Sequence, residues 1–243
     1  MDYKKIADEL KENYHYKLNI DQDILNNIMN AINNSEWKKF DFGSTCAKVG
    51  SFKGNVKNNK FTLKGSDGQY GMSKSNSLFK NTHLKSILEN KDITNILKEY
   101  FGRTPKLNYK KLDIFYTKNL NGDLNQIKKQ GWHIDDPVKL HKNKKYNFIK
   151  IFIPLCDVNE NNGVTHIIKG SRTNTPPGLE FSKIQGKRFS DDYINKHYSS
   201  ELLVKINSKL GDYFLTRNDG FHKGGFCKPG HERLMIIAEY YVE

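Results

Sequence analysis

The fold is decided by the stretch RLMIIAEYYV, residues 233–242, which is rich in β-branched, aromatic and aliphatic side chains. Five other short segments of the same character precede it, separated by turn residues: LNYKKLDIFYTK (107–118), NFIKIFIPL (147–155), GVTHII (163–168), ELLVKI (201–206) and DYFLT (212–216). No helical repeats lie between them, apart from an excursion at 171–200. Six strands in this arrangement predict an antiparallel sandwich or barrel over residues 106–243.

The first 105 residues are predicted to be helical and connecting. Ile6 and Leu10 mark one amphipathic helix, Asp21 is the N-cap of a second, and a third helical stretch ends at Gly102. Residues 41–82 have few apolar anchors and predict a long loop, a candidate lid with room for a hairpin at its centre. We therefore expect one α+β, mainly β domain over residues 1–243, with a helical layer packed on the sandwich.

Composition limits the classes of partner. The net charge of +13 comes from 35 Lys and only 5 Arg beside 27 Asn, and the Lys is spread along the chain. Nucleic-acid surfaces favour the planar fork of Arg, so a nucleic-acid partner is not expected. No apolar run could span a bilayer, no signal peptide is seen, and three unpaired cysteines indicate a reducing compartment. We expect a cytoplasmic enzyme; the sequence leaves its oligomeric state open.

A candidate metal pair lies in QGWHIDDP, residues 130–137. With 8 His and 27 acidic residues in 243 positions, about one His-x-Asp/Glu tripeptide is expected by chance, so the context must decide. His133 and Asp135 are two apart and would point to the same side of an extended strand. A site with two His and one carboxylate, typical of non-haem Fe(II) oxygen chemistry, needs a third ligand from a second strand. The candidates are His141, His166, His197, His222 and His231.

His222 is the preferred third ligand because it follows a strand and a tight polar turn, at the start of a Gly-rich corner. Eleven residues later, Arg233 opens the last strand. A lone Arg at the head of an apolar strand is costly unless it meets an anion. A dicarboxylate co-substrate would supply one, held bidentately by the guanidinium. An ion pair with Glu232 or Glu239 is the alternative.

The ordered motifs of residues 106–243 resemble the phytanoyl-CoA dioxygenase-like family of Fe(II)/2-oxoglutarate oxygenases. WHIDD is similar to its His-x-Asp strand end. FIKIFIPLCDVNENNGVTHIIKGSR is similar to its strand, Asn-Gly turn and Pro-Gly-Ser-His corner. KLGDYFL is similar to its Gly-Asp turn, and FHKGG with the later Arg is similar to its distal His and Arg.

The resemblance implies a double-stranded β-helix, also called a jelly roll, and a site for iron and its co-substrate. His133, Asp135 and His222 would hold Fe(II), and Arg233 would pair with the distal carboxylate of 2-oxoglutarate. Tyr116 lies where a polar co-substrate ligand often falls. The implied reaction uses O2 to hydroxylate an unactivated C–H bond of a small molecule. The carboxylate of Asp135 distinguishes the chain from the halogenases of the family.

The chain departs from the family pattern at three places. Many relatives carry a Ser two residues after the distal His, where this chain has Gly224; the co-substrate contact that replaces it is not evident. The corner reads Lys169-Gly170-Ser171-Arg172. Asp136, directly after the metal Asp, either faces the substrate or caps the next turn.

The candidate lid is basic and suggests the charge of the substrate. If it closes over the iron, it favours an anionic molecule, whereas Asp136 favours an amine or hydroxyl, so that a zwitterion is a compromise. The alternative for these lysines is that they are ordinary solvated loop charges. The alternatives for the function of the protein are a non-catalytic jelly-roll module that binds a sugar or nucleic acid, and an oxygenase acting on a macromolecule. The lysines concerned are Lys48, Lys53, Lys57, Lys60, Lys64 and Lys74, opposed only by Asp41 and Asp67.

Overall fold

The computed structural model describes residues 1–40, 48–58, 60–65, 67–72, 80–122, 131–135, 147–179 and 187–242. Within these residues the chain contains five α-helices: α1 (Tyr3–Asn13), α2 (Gln22–Ile32), α3 (Thr82–Leu88), α4 (Lys91–Phe101) and α5 (Asp191–His197). None of these helices is both long and apolar enough to cross a membrane.

The helix boundaries follow local capping chemistry. Asp21 caps α2 as predicted, because its carboxylate accepts hydrogen bonds from the backbone N–H groups of Asp23 and Ile24. Gly102 ends α4 with a φ of +71°, a conformation that favours glycine. The predicted third helical stretch is two helices, since the Asn90 side chain accepts a bond from the Asp92 N–H and starts a new one.

Thirteen strands are found among the described residues, and every pairing between them is antiparallel. Ten form one sheet in the order β1-β11-β8-β13-β7-β5-β2-β3-β4, with β6 also paired to β13; the other three form a small sheet in the order β10-β9-β12. Their bounds are β1 (His15–Asn19), β2 (Glu36–Phe40), β3 (Lys48–Lys57), β4 (Lys60–Leu63), β5 (Gly68–Met72), β6 (Lys106–Leu107), β7 (Asp113–Asn119), β8 (Asn147–Pro154), β9 (Thr165–Ile168), β10 (Leu203–Ile206), β11 (Asp212–Thr216), β12 (His222–Gly224) and β13 (His231–Val242).

The two faces of the large sheet are buried against different layers, because side chains alternate along each strand. Ile151 and Leu234 belong to the core that includes the helices α1 to α4. Phe152 and Met235, one residue further along the same strands, pack on the small sheet through Ile167. The predicted antiparallel sandwich is therefore confirmed, with helices α1 to α4 on its outer side.

The N-terminal region is more β-rich than predicted. The loop expected over residues 41–82 is wrong where the chain is described, since β3, β4 and β5 continue the large sheet; the hairpin considered for its centre is present as β3 and β4. The side chains of Lys53, Lys57, Lys60 and Lys64 are exposed, as is common for edge strands that carry Lys against aggregation. Lys74 and Asp136 lie outside the described residues.

Candidate metal centre

His133 and His222 are brought side by side by the main chain. Their residues form an isolated antiparallel bridge in which each N–H donates to the other residue's carbonyl at 2.9 Å. The imidazole ring centroids are 4.4 Å apart. The second strand that the His-x-Asp pattern required is therefore β12, and His222 is its first residue.

Both imidazoles are held in the same tautomer by the backbone. The Nδ1 atom of His133 lies 3.1 Å from the carbonyl oxygen of Gly131, and that of His222 lies 3.0 Å from the carbonyl oxygen of Gly220. A carbonyl can only accept, so each Nδ1 carries the hydrogen. Each Nε2 is left with a free lone pair, the arrangement that metal-binding histidines adopt.

Asp135 completes the cluster from the same short segment as His133. Its Oδ2 lies 3.2 Å from Nε2 of His222 and its Oδ1 lies 3.7 Å from Nε2 of His133. One ligand atom from each of the three residues falls within 4.8 Å of the others, and the described residues contain no other such group. His166, His197 and His231 are thus outside the cluster, while His141 lies outside the described residues.

The charge state of the cluster suits a divalent cation. Burial, and then the neighbouring His222, lowers the pKa of His133 well below its usual value. Burial opposes ionisation of Asp135, but Lys150 and then His222 outweigh it, so the pKa of this carboxyl also lies well below its usual range. A neutral imidazole and an ionised carboxylate are the protonation states in which these side chains bind metal.

The corner between β9 and α5 positions His222. Ser171 is fully buried, and its hydroxyl donates to the Ile168 carbonyl and accepts from the N–H of Phe221. The residue directly before His222 is thereby tied to the end of β9. The corner Lys169-Gly170-Ser171-Arg172 departs from the family pattern but keeps its serine. The hydrogen bonds of Ser171 therefore still hold the corner together.

Arg233 is placed at the inner face of β13 beside the Asn-Gly turn. It is 9% exposed, and its Nη1 donates to the carbonyl of Gly163. No carboxylate among the described residues pairs with it, which argues against the alternative ion pair with Glu232 or Glu239. Gly163 has a φ of +95°, and a Cβ there would lie 3.1 Å from Nη1 of Arg233 and 2.6 Å from the Gly225 carbonyl. This position requires glycine.

The prediction for Tyr116 is wrong because of strand alternation. Tyr116 pairs with Leu234 across β7 and β13, so it points to the outer face, away from Arg233. Its ring contacts the Phe61 ring at 5.0 Å and its hydroxyl donates to Glu232. Thr117, directly opposite Arg233, faces the metal side instead.

His133 and His222 line a cavity of about 370 Å³ between the two sheets. Six further polar residues line it that no sequence pattern had indicated: Gln69, Lys150, Thr165, Arg188, Asn218 and Lys223. Lys150 forms a salt bridge with Asp135. A lone Lys inside the apolar run NFIKIFIPL is costly without an anion, so the logic that singled out Arg233 applies to it as well.

Thr165 occupies the place where the co-substrate serine is missing. It pairs with Gly224 in the register of β9 and β12 and is 4% exposed. Its hydroxyl makes no hydrogen bond with the described part of the chain. Only the tertiary register reveals this neighbour, since 59 residues separate it from Gly224.

A larger cleft of about 580 Å³ lies across β13 from the metal cluster. Glu232 in this cleft accepts from the Tyr116 hydroxyl and lies 4.0 Å from Nζ of Lys60. Burial, with this hydrogen bond, raises the pKa of Tyr116. Three polar groups of the cleft thus contact one another, and Arg233 lines this cleft as well as the cavity of the metal cluster.

Known structures share this fold at low sequence identity. The non-haem alpha-ketoglutarate-dependent epimerase SnoN from nogalamycin biosynthesis aligns with a TM-score of 0.58 and 13% identity, over 98% of this chain and 82% of that one. EvdO2 from Micromonospora carbonacea var. aurantiaca, complexed with 2-oxoglutarate, gives 0.56 and 10%, over 98% and 90%. EctD from S. alaskensis gives 0.54 and 11%, over 97% and 75%. These likenesses confirm the jelly-roll fold.

Sequence comparison supplies the family. No curated protein matches the chain. The family model for phytanoyl-CoA dioxygenase (PhyH) matches residues 51–233, well over half of the sequence. The match includes the His133–Asp135 segment, His222 and Arg233, and it begins in β3, well before the part in which the sequence motifs were found. The chain belongs to the phytanoyl-CoA dioxygenase (PhyH) family.

Proposed function

We propose that the protein is an Fe(II)- and 2-oxoglutarate-dependent dioxygenase that hydroxylates an unactivated C–H bond of an anionic or zwitterionic small molecule. The observation that carries the proposal is the convergence of two Nε2 lone pairs and one carboxylate, all from PhyH-family motif positions, beside a cavity in which the buried Arg233 has no carboxylate partner among the described residues. Two imidazoles and a carboxylate are the ligand set of non-haem Fe(II) oxygenases.

His133, Asp135 and His222 would hold the iron from one side. Their main-chain bridge and Nδ1 hydrogen bonds fix the direction of both imidazoles, which leaves the cavity side for other ligands. Iron and 2-oxoglutarate supply the oxidative chemistry, in which O2 and 2-oxoglutarate yield succinate and CO2 and one oxygen atom enters a substrate C–H bond. The protein holds the ligands and positions the substrate.

Arg233 would bind the distal carboxylate of 2-oxoglutarate, with Thr165 as the hydroxyl that replaces the missing serine. The guanidinium is buried, lacks a carboxylate partner among the described residues and lines the same cavity as the cluster. Thr165 lines that cavity too, and its hydroxyl makes no hydrogen bond to the described residues. A planar guanidinium and a neutral hydroxyl together suit a carboxylate.

The first experiment is anaerobic titration of Fe(II) and 2-oxoglutarate, watched for the weak visible charge-transfer band of the chelate. We expect the band in the wild type and its loss in His133→Ala. His197→Ala, at the end of α5 and outside the cluster, is the matched control and should keep it. A folded wild-type protein without the band would refute the proposal.

Succinate release with a panel of anionic, zwitterionic and neutral metabolites then tests the reaction. Hydroxylation predicts a product heavier by one oxygen atom, taken from O2. Because one protein of similar fold is an epimerase, products of unchanged mass are analysed for inverted stereochemistry. A non-catalytic binding module predicts no succinate release with any compound, and ligand binding that weakens steeply with salt.

A further inference from the structure

Four cationic side chains line the cavity of the metal cluster, and two of them already have a role. Lys223 pairs with Asp191 and lies 4.9 Å above the Trp132 ring. Arg233 is assigned to the co-substrate under the proposed function. Lys150 and Arg188 are left, and each interacts electrostatically with Asp135.

Lys150 depends on Asp135 for its charge partner. Its side chain is 19% exposed and points inward from the middle of β8, next to Phe152 on the same face. Asp135 is the sole carboxylate that pairs with it among the described residues. If Asp135 binds a metal, its charge is shared, and Lys150 keeps a partly buried ammonium that another anion would stabilise.

Arg188 is weakly held. Its one hydrogen bond to the described residues is from Nη1 to the Gly131 carbonyl, at a long 3.4 Å. No described carboxylate lies within ion-pair distance of it. The other donors of this exposed guanidinium fork make no hydrogen bond to the described residues, and the fork lines the cavity with a geometry that matches carboxylate and phosphate oxygens.

Asn218 gives an independent sign of a ligand. It lies two residues beyond Thr216, which pairs with Lys150, and it is 1% exposed. Neither its amide nitrogen nor its amide oxygen has a partner in the described part of the protein. A buried amide with both atoms unsatisfied is costly, and native proteins keep such groups rarely without a reason.

We propose that Lys150, Arg188 and Asn218 form a site for an anionic oxygen group, a carboxylate or a phosphate, carried by the organic substrate. The inference rests on the proposed function: the Asp135 carboxylate is then engaged by the metal and the distal carboxylate of the co-substrate by Arg233, so neither anion balances Lys150 or Arg188. The site replaces the basic lid as the source of selectivity, because none of the described lid lysines lines this cavity.

The test is calorimetric titration of the anaerobic Fe(II)–2-oxoglutarate complex with three probes: inorganic phosphate, butyrate and neutral butyramide. We expect the wild type to bind an anion and not butyramide, and Arg188→Gln to weaken that binding about tenfold or more. Arg103→Gln is the matched control, because Arg103 is exposed beyond α4 and does not line the cavity. Its affinity should stay within about twofold of the wild type.

Asn218→Leu separates a binding role from a structural one. Removing an unsatisfied buried amide should leave the melting temperature at or above that of the wild type, while anion affinity falls. A preference for butyrate or for phosphate identifies the group. Equal anion affinity in the wild type and Arg188→Gln, or no anion binding at all, overturns the inference, as does displacement of 2-oxoglutarate with loss of the visible band. Absence of that band before any probe is added instead overturns the proposed function.

Discussion

The two sides of β13 hold cavities of opposite character. The outer cleft is larger, about 580 Å³ against about 370 Å³, but Tyr116, Glu232 and Lys60 satisfy one another within it. The inner cavity is smaller and is lined by the two histidines of the metal cluster, by Arg233, which also lines the outer cleft, and by Asn218, whose amide is unsatisfied among the described residues. Buried polar groups without hydrogen-bond partners indicate the ligand-binding side of β13 better than cavity volume does.

The largest difference between variants on the inner and outer sides of β13 should be in Fe(II) affinity, on loss of a metal ligand. We expect His222→Ala to lower Fe(II) affinity more than about 100-fold, because changes to groups that merely support ligands already cost up to that much. His231→Ala removes the imidazole that lines the outer cleft and should leave affinity within about twofold. Metal titration followed by the visible band measures both. Similar losses in the two variants would contradict the assignment of sides.

The co-substrate arginine should give the next largest effect. We expect Arg233→Gln to raise the Kd for 2-oxoglutarate about 100-fold, since a buried guanidinium that meets a carboxylate is worth about 2–5 kcal/mol. Tyr116→Phe, on the neighbouring strand but the outer face, should leave this Kd unchanged. Calorimetry with the Fe(II) protein under anaerobic conditions gives both values. A raised Kd in Tyr116→Phe would restore Tyr116 as a co-substrate ligand.

A smaller effect is expected at Thr165. Thr165→Val keeps the shape of the side chain and removes one hydroxyl, so the Kd for 2-oxoglutarate should rise about fivefold, in line with about 1 kcal/mol for one hydrogen bond. Thr62→Val, which removes a hydroxyl from the outer cleft, is the matched control. If both variants bind 2-oxoglutarate like the wild type, the hydroxyl that replaces the family serine lies elsewhere, and Thr117 is the next candidate.

The smallest effect is a decline in stability of the metal-free protein at acidic pH. Burial lowers the pKa of His133 well below 6.5 and that of His166 to about 4. The unfolded chain takes up these protons below pH 6.5 and the folded protein does not, so stability falls as the pH drops from 6.5 towards 4. Asp135 adds to the loss only below pH 3.8, where the unfolded carboxyl is protonated first.

Thermal unfolding between pH 7.5 and 4.5 measures this decline. His166→Phe cannot be protonated and should lose less of its melting temperature over that range, with the difference largest at the acidic end. A melting temperature that is independent of pH in the wild type would contradict the burial of these imidazoles. The fluorescence of Trp37 and Trp132, both buried, reports the transition.

The sequence was sufficient for those parts of the fold and site that local patterns specify. The six strand segments follow from β-branched and aromatic runs, and the His-x-Asp spacing with the distal His222 and Arg233 predicted residues that the structure brings to one cavity. Each depends on alternation within one strand or on a costly charge in an apolar run. Such information is local and survives without knowledge of the tertiary register.

The predictions that failed concern features that depend on the pairing of strands distant in the sequence. Tyr116 and Thr117 are both polar and adjacent, and only the pairing of β7 with β13 shows which of them faces Arg233. β3, β4 and β5 contain Gly and Lys and look like loop, yet they are stabilised by pairing at the sheet edge and by aromatic contacts such as Phe52 with Tyr70. Arg188 and Asn218 have no local pattern at all.

The reciprocal backbone hydrogen bonds between His133 and His222 fix the positions of these two ligand residues independently of their side chains. Two N–H groups and two carbonyls close this bridge, and no side chain takes part in it. Exchange of a ligand side chain should therefore change the chemistry of the centre without dismantling its geometry. Single substitutions at residues 133, 135 or 222 can then change the chemistry of the centre during evolution, while the backbone keeps its strand register.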